Sequence, residues 1–309
     1  MLNHLLVATL AAATSVAQSC DLPAGDIKDP RYWGDVFLDK YAAEREAATT
    51  QIEDGPPPLE ETRTVLLITG VTIPAEWFEP IVARLERDGF RPVVYEPPDL
   101  LSGDLFENSE LLGEEIARIR AETGEEKIDI LAECTGGLIA RHYIQSMGGD
   151  QYVSRLVTFI SPQHGLPKAA WAHTLVGWPA LEDLTPGSDF LHAVNDAPMA
   201  PNVPVTSIYT CTDEYIQPYE TSIIPGATNI ALGCDRFVGH YQFFYDPEIY
   251  LVMHGALTTP TGETPKTDGK DPVVPQTADE EAGGCNAGGS AESGLLLMVG
   301  LALWRRRRR

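Results

Sequence analysis

Apolar positions along the chain fall into two rhythms. "TVLLITG" (64–70), "RPVVYEP" (91–97), "KIDILAE" (127–133), "RLVTFIS" (155–161) and "PVTSIYT" (204–210) are short, apolar and rich in β-branched residues. Such runs suit strands buried on both faces of a parallel sheet. Between them the apolar residues return at helical spacing. In "NSELLGEEIARIRAETG" (108–124), Leu111, Leu112, Ile116 and Ile119 share one face, and Asn108 or Ser109 is the expected cap with Gly124 as the stop. "GLIARHYIQSM" (137–147) is a second amphipathic helix, directly after the third strand. Strands alternating with helices imply an α/β fold, a mainly parallel sheet with helices on both faces.

Outside this zone, 63–257, the pattern changes. Residues 1–19 carry no Lys, Arg, Asp or Glu and hold an apolar run from Leu5 to Ala13 before Ala17-Gln18-Ser19, as a secretory signal peptide does. Residues 20–62, with "GPPPLEE", read as a polar N-terminal extension on the surface. From 258 to 284 Thr, Pro, Gly, Asp and Glu dominate, a composition too poor in large apolar residues to fold, so this is a disordered acidic linker. Residues 285–309 hold Cys285, a small-residue spacer, the apolar run Leu295–Trp304 and five Arg. That tail resembles the MYXO-CTERM sorting tails of myxobacteria. The resemblance implies export, processing near Cys285 and cell-surface display, with membrane association through the tail before processing and the sorting and secretion machinery as partners.

The 309 residues carry a formal net charge of −23, and the one basic run is the terminal Arg cluster, which argues against nucleic acid as a partner. No Cys/His cluster has metal-ligand spacing and no Gly-rich loop suits a phosphate, so no cofactor is expected.

"DILAECTGGLIARHY" (129–143) carries the candidate chemistry. A nucleophile displayed at a sharp strand-to-helix turn needs small residues two positions before and after it, here Ala132 and Gly136 around Cys134. The stretch resembles the elbow of the small bacterial lipases and esterases of the α/β-hydrolase fold, the class 2 lipases among them, where a Ser stands in place of Cys134. The likeness continues in "RLVTFISPQHGLPKA" (155–169), with a turn at Ser161-Pro162-Gln163-His164-Gly165, and in "LTPGSDFL" (184–191). It spans Val65 to Leu257. It implies a catalytic acid in "CTDEYIQP", Asp213, and a base in "CDRFVGHYQFF", His240, in the chain order of α/β hydrolases. Asp183 and Asp189 are the competing acids, and His142 and His192 fit helix surfaces. The first loop, "LLITGVT", keeps Gly70 but has Thr69 where the family has His. The oxyanion hole is then expected from the backbone N–H groups of Thr135 and Val71.

The Ser-to-Cys exchange leaves two readings open. In one, Cys134 is a thiolate favoured by the helix N-terminus and His240, and the protein is an exported acyl-ester hydrolase acting on an ester or lipid substrate. Dienelactone hydrolases use a cysteine in this fold. In the other, the elbow is catalytically degenerate and the pocket is a surface lipid- or ligand-binding module; a displayed scaffold is a third class. Cys211 and Cys234 each follow a strand, and are either a disulfide between the acid and histidine loops or two separate buried thiols. Trp171, Leu175, Val176, Trp178 and Leu181 are candidates for an apolar wall near the cleft.

Overall fold

The computed structural model describes residues 25–260. The signal peptide, Cys20, most of the acidic linker and the sorting tail lie outside the described residues. The strands are β1 (Thr64–Ile68), β2 (Arg91–Tyr95), β3 (Ile128–Glu133), β4 (Val153–Phe159), β5 (Val205–Thr210) and β6 (Thr228–Leu232). They form one six-stranded sheet in the order β2-β1-β3-β4-β5-β6, every pair parallel. The helices are α1 (Pro30–Lys40), α2 (Ala42–Thr50), α3 (Glu79–Arg87), α4 (Leu105–Thr123), α5 (Thr135–Ser146), α6 (Ala169–Val176), α7 (Pro179–Asp183), α8 (Asp189–Asn195), α9 (Gln242–Tyr245) and α10 (Pro247–Thr258).

Because successive strand residues point to opposite faces, the strands β1 to β5 feed two cores. Leu66, Ile68, Ile130, Ala132 and Leu156 pack with Leu112 and Ile116 of α4, Leu138 and Ile139 of α5 and Phe190 of α8. Val65, Leu67, Leu131, Val157 and Phe159 pack on the other face with Ile81 and Leu85 of α3 and Ile249 and Met253 of α10. This two-sided burial is why the strands read as continuous apolar runs.

Two sequence expectations are corrected. Helix α4 begins before Asn108 and Ser109: Asp104 caps it, its carboxylate accepting from the amides of Phe106 and Glu107 at 2.8 and 3.0 Å. Ser109 lies inside the helix, donating back to the Leu105 carbonyl at 2.7 Å, and Asn108 donates to Asp99 and to the Asp104 carbonyl. Gly124 does stop the helix, in the left-handed conformation at φ 75°.

The segment 20–62 is also more than a surface extension. Its helix α1 buries Trp33 and Phe37 in the second core, and Phe37 packs 4.9 Å from the ring of Tyr241 and 6.1 Å from Tyr215. Trp33, Phe37 and Tyr41 recur every fourth residue on one helical face, an apolar stripe hidden by the polar average of the segment. Phe37→Ala is therefore expected to cost about 3 kcal/mol or more in urea denaturation. Glu46→Ala, on the exposed side of α2, should change stability by less than about 0.5 kcal/mol.

At the opposite end of the sheet from the third-strand turn, Asp129 of β3 is buried, 3.0 Å from Arg63 and 3.5 Å from Arg155. Burial pushes its carboxyl up to about 6 despite the two guanidinium groups. A carboxyl raised in the folded state stabilises the fold fully below its unfolded pKa of ~4 and loses that contribution as pH rises through 6. Wild-type stability measured against Asp129→Asn should accordingly fall by about 3 kcal/mol from roughly pH 3.5 to pH 7.5, a trend the difference between two urea titration series will reveal.

Candidate active site

Between the last residue of β3 and the first of α5 the chain turns on a single residue, Cys134, at φ 45° and ψ −123°. A side chain bearing a Cβ rarely adopts that backbone, so neighbours must hold it. The Cys134 amide donates to the Phe159 carbonyl at 3.0 Å, and its carbonyl accepts from the Gly137 amide at 3.1 Å and from Ser161 Oγ at 2.5 Å. Ser161 in turn accepts from Gln163 Nε2 at 2.7 Å, and Gln163 Oε1 accepts from Arg141 Nη1 at 2.8 Å. The Arg141 guanidinium is buried, and burial draws its pKa down to about 10. Small residues are needed here for a measurable reason: a Cβ on Gly136 would lie 2.7 Å from the Thr69 carbonyl oxygen.

The acid and the base come from the loops after β5 and β6. Asp213 Oδ2 stands 2.8 Å from His240 Nδ1, while Asp213 Oδ1 accepts from the amides of Tyr215 and Ile216 at 2.7 and 2.8 Å. The carboxylate is thus fixed by its own turn before it orients the imidazole. The Glu214 carboxylate accepts from the His240 amide at 2.8 Å, and the Val238 carbonyl accepts from the hydroxyls of Thr210 and Thr212. A disulfide joins Cys211 to Cys234, with Cα atoms 4.9 Å apart, at the ends of the paired strands β5 and β6. Among the described residues this leaves Cys134 as the free cysteine.

The structure brings Cys134, Asp213 and His240 together and leaves the competing acids elsewhere. Asp183 accepts from the Leu105 amide at 2.9 Å, and Asp189 sits in the first turn of α8. His142, expected on a helix surface, is buried against Phe106 and Phe190, because the face of α5 that carries it is covered by α4 and α8. His192 is exposed beside Asp196, as its helix position suggests.

One residue of the site escaped sequence reasoning. Glu133, immediately before Cys134, is fully buried, with Oε1 3.4 Å from Nε2 of His240. Neither carboxylate oxygen meets hydrogen-bond geometry with a donor among the described residues, although the His240 ring and the Gly70 amide lie close enough to favour its charge. The available signal was a carboxylate ending a strand otherwise buried on both faces. Gly70 is what lets Glu133 fit: a Cβ there would overlap Glu133 Oε2 and approach Cys134 Cβ to 2.7 Å.

The electrostatics differ from the thiolate expected of an elbow cysteine. Burial, and then the Glu133 charge, push the Cys134 thiol well above its ordinary value, against a smaller opposing pull from Thr135. Cys134 is therefore a thiol in the resting site. Burial by itself lowers the His240 pKa, but the carboxylates of Asp213 and Glu133 on its two nitrogens outweigh it and raise the imidazolium to about 10. Glu133 is raised by its own burial, with His240 and Gly70 pulling the other way.

Thr135 is the first residue of α5, where a backbone N–H has no partner within the helix, and that N–H favours the Cys134 sulfur. Val71 follows Gly70 in the loop after β1; its neighbours are tied down, Thr72 to the Leu100 carbonyl at 2.9 Å and Ile73 to the Gly70 carbonyl at 3.3 Å. Of the proposed apolar wall, Trp171 on α6 is 39% exposed, Leu181 packs on the first core, and Trp178 donates to the Lys28 carbonyl at 2.7 Å. The segment is thereby fastened to the N-terminal part of the chain. The donor atoms of Glu133, Cys134 and His240 lie within 4.8 Å of one another, the grouping among the described residues able to hold a metal ion.

No family model matches the chain. Lipase B of Pseudozyma antarctica is 26% identical over 229 residues, 69% of this chain and 67% of that protein. Among solved structures, lipase B of Aspergillus fumigatus superposes with a TM-score of 0.55 at 20% identity, over 64% of this chain and 52% of its own. Bacillus licheniformis lipase BlEst2 in its propeptide form gives 0.55 at 16% identity, over 69% of this chain and 56% of its own. The chain thus spans little more than half the length of these two solved structures. What it shares with them is the architecture, a parallel sheet flanked by helices on both faces, and that architecture is the α/β-hydrolase fold.

Proposed function

We propose that the protein is an exported acyl-ester hydrolase with Cys134 as nucleophile, His240 as general base and Asp213 as its orienting acid. The observation that carries the reading is the 2.8 Å contact between His240 Nδ1 and Asp213 Oδ2 beside a cysteine held at φ 45° on a strand-to-helix turn. Catalysis depends on that arrangement of roles more than on which atom attacks. The similarity to a lipase at 26% identity supports an ester or lipid substrate. The Cys211–Cys234 disulfide fits an oxidising compartment, in line with export to the cell surface.

In this mechanism His240 acts from its neutral form, the minority below a pH of about 10, and the thiol of Cys134 attacks the substrate carbonyl carbon as its proton passes to Nε2, forming the C–S bond and an oxyanion. The backbone N–H groups of Thr135 and Val71 hold that oxygen. Because the thiol is not ionised beforehand, proton transfer accompanies attack, as it does for a serine. The imidazolium then has Asp213 on one nitrogen and Glu133 beside the other. It gives its proton to the departing alkoxide as the C–O bond breaks. Water, deprotonated by His240, attacks the thioester carbonyl and releases the carboxylic acid and the restored thiol.

The protein should hydrolyse short activated acyl esters or thioesters, and Cys134→Ala should lower kcat/KM by about 10³-fold or more. Iodoacetamide that modifies Cys134 should abolish turnover. If wild type is inert and Cys134→Ser active, the scaffold is a lipase stilled by one substitution; if both are inert while folded, the surface ligand-binding reading replaces this one. Asp213→Asn should reduce kcat by about 10²- to 10⁴-fold. Its melting temperature should stay close to wild type, because the retained Oδ1 still accepts from the Tyr215 and Ile216 amides. Full activity in Asp213→Asn assigns the acid elsewhere.

A further inference from the structure

We propose that Glu133, Cys134 and His240 form a binding site for a single thiophilic divalent cation, zinc by the chemistry of its donors. A thiol sulfur, an imidazole nitrogen and a carboxylate oxygen are the three ligand types zinc takes, and a site with three protein ligands keeps its fourth position for water. Their ligand atoms already lie within 4.8 Å of one another, against the ~3.5 Å that separates donors around tetrahedral zinc. Side-chain shifts of about an ångström would close that gap.

Two independent features point to a cation here. Glu133 is fully buried, and neither of its oxygens meets hydrogen-bond geometry among the described residues, the His240 ring and the Gly70 amide being its near donors. A buried carboxylate needs a counter-charge, which the His240 imidazolium 3.4 Å from Oε1 supplies in the resting site and a dication would supply in its place. The second feature is the orientation of the imidazole. A metal-bound His almost always gives its other N–H to a carboxylate, and His240 Nδ1 is already 2.8 Å from Asp213, which leaves Nε2 facing Glu133. Binding displaces the thiol proton of Cys134 and any proton on Nε2 into the buffer, so that thiolate, carboxylate and neutral imidazole balance the dication. Cys134 is partly exposed as a residue, whereas Glu133 and His240 are buried. Occupancy ties up the proposed nucleophile and base together, so the cation is an off-switch, but the site stands whether or not Cys134 turns over esters.

The test uses tag-free full-length protein and needs no substrate. Cobalt(II) should bind with a thiolate-to-metal charge-transfer band and the visible bands of four-coordination. Zinc at micromolar concentration should displace it at one equivalent per chain and protect the Cys134 peptide from iodoacetamide, as read by peptide mass spectrometry. That mapping separates Cys134 from Cys20 and Cys285. Glu133→Gln and Cys134→Ala should each weaken zinc binding at least about tenfold in competition with a chromophoric chelator, and Asp213→Asn about tenfold through the imidazole. His192→Ala, which removes the exposed pair with Asp196, should leave it unchanged. If a variant does not fold, the cobalt spectrum of wild type decides. Zinc uptake that survives both Glu133→Gln and Cys134→Ala, or a cobalt complex lacking the thiolate band, overturns the site.

Discussion

The backbone of Cys134 is the constraint on which the site depends. A non-glycine residue at φ 45° persists only where its surroundings over-determine it. Here the surroundings reach well into the molecule: β4 supplies the carbonyl that takes the Cys134 amide, and the chain Arg141–Gln163–Ser161 ends on the Cys134 carbonyl. The sheet order places β3 at the centre, with β1 and β4 on its flanks, so the turn rises from the most constrained strand. The loops after β1 and β4 then close over it from both sides.

Around this turn, charge is arranged in an unusual ratio. One imidazole stands between two buried carboxylates, Asp213 and Glu133. Asp213 is satisfied by two amides besides the ring, whereas Glu133 has little besides the ring. The difference separates their parts. Asp213 is a fixed reference for the imidazole, and Glu133 is a buried charge whose counter-charge is that same imidazolium and which keeps the neighbouring thiol protonated. An elbow carrying an uncharged residue at that position would lack both effects.

Much of this was legible in the residues. Five strands were read as short apolar runs because the sheet is buried on both faces, and the elbow because Ala132, Gly136 and Gly137 leave room that side chains would fill. Asp213 and His240 were found through family likeness and chain order, which the structure complements with a distance. What escaped was tertiary. Glu133 was not singled out, since burial of a carboxylate shows only once the loop of Gly70 lies across it. Asn108 and Ser109 looked like caps because their side chains favour helix starts, yet Asp104 was the better-placed acceptor. Helix α1 was hidden by averaging, its three aromatic residues diluted among charged neighbours.

That first helix has a consequence for how the site comes into being. Phe37 and Tyr41 pack on Tyr241, the residue after His240, so the earliest helix of the described residues and the loop that carries His240 are partners in one aromatic cluster. Contacts between opposite ends of a sequence form late, because the loop-closure entropy they require is recovered only after the intervening strands have paired. The histidine loop therefore gains its final packing when Phe37 and Tyr41 reach Tyr241. A nascent chain in which β6 has not yet paired presents the Cys134 thiol before the His240 imidazole stands beside it.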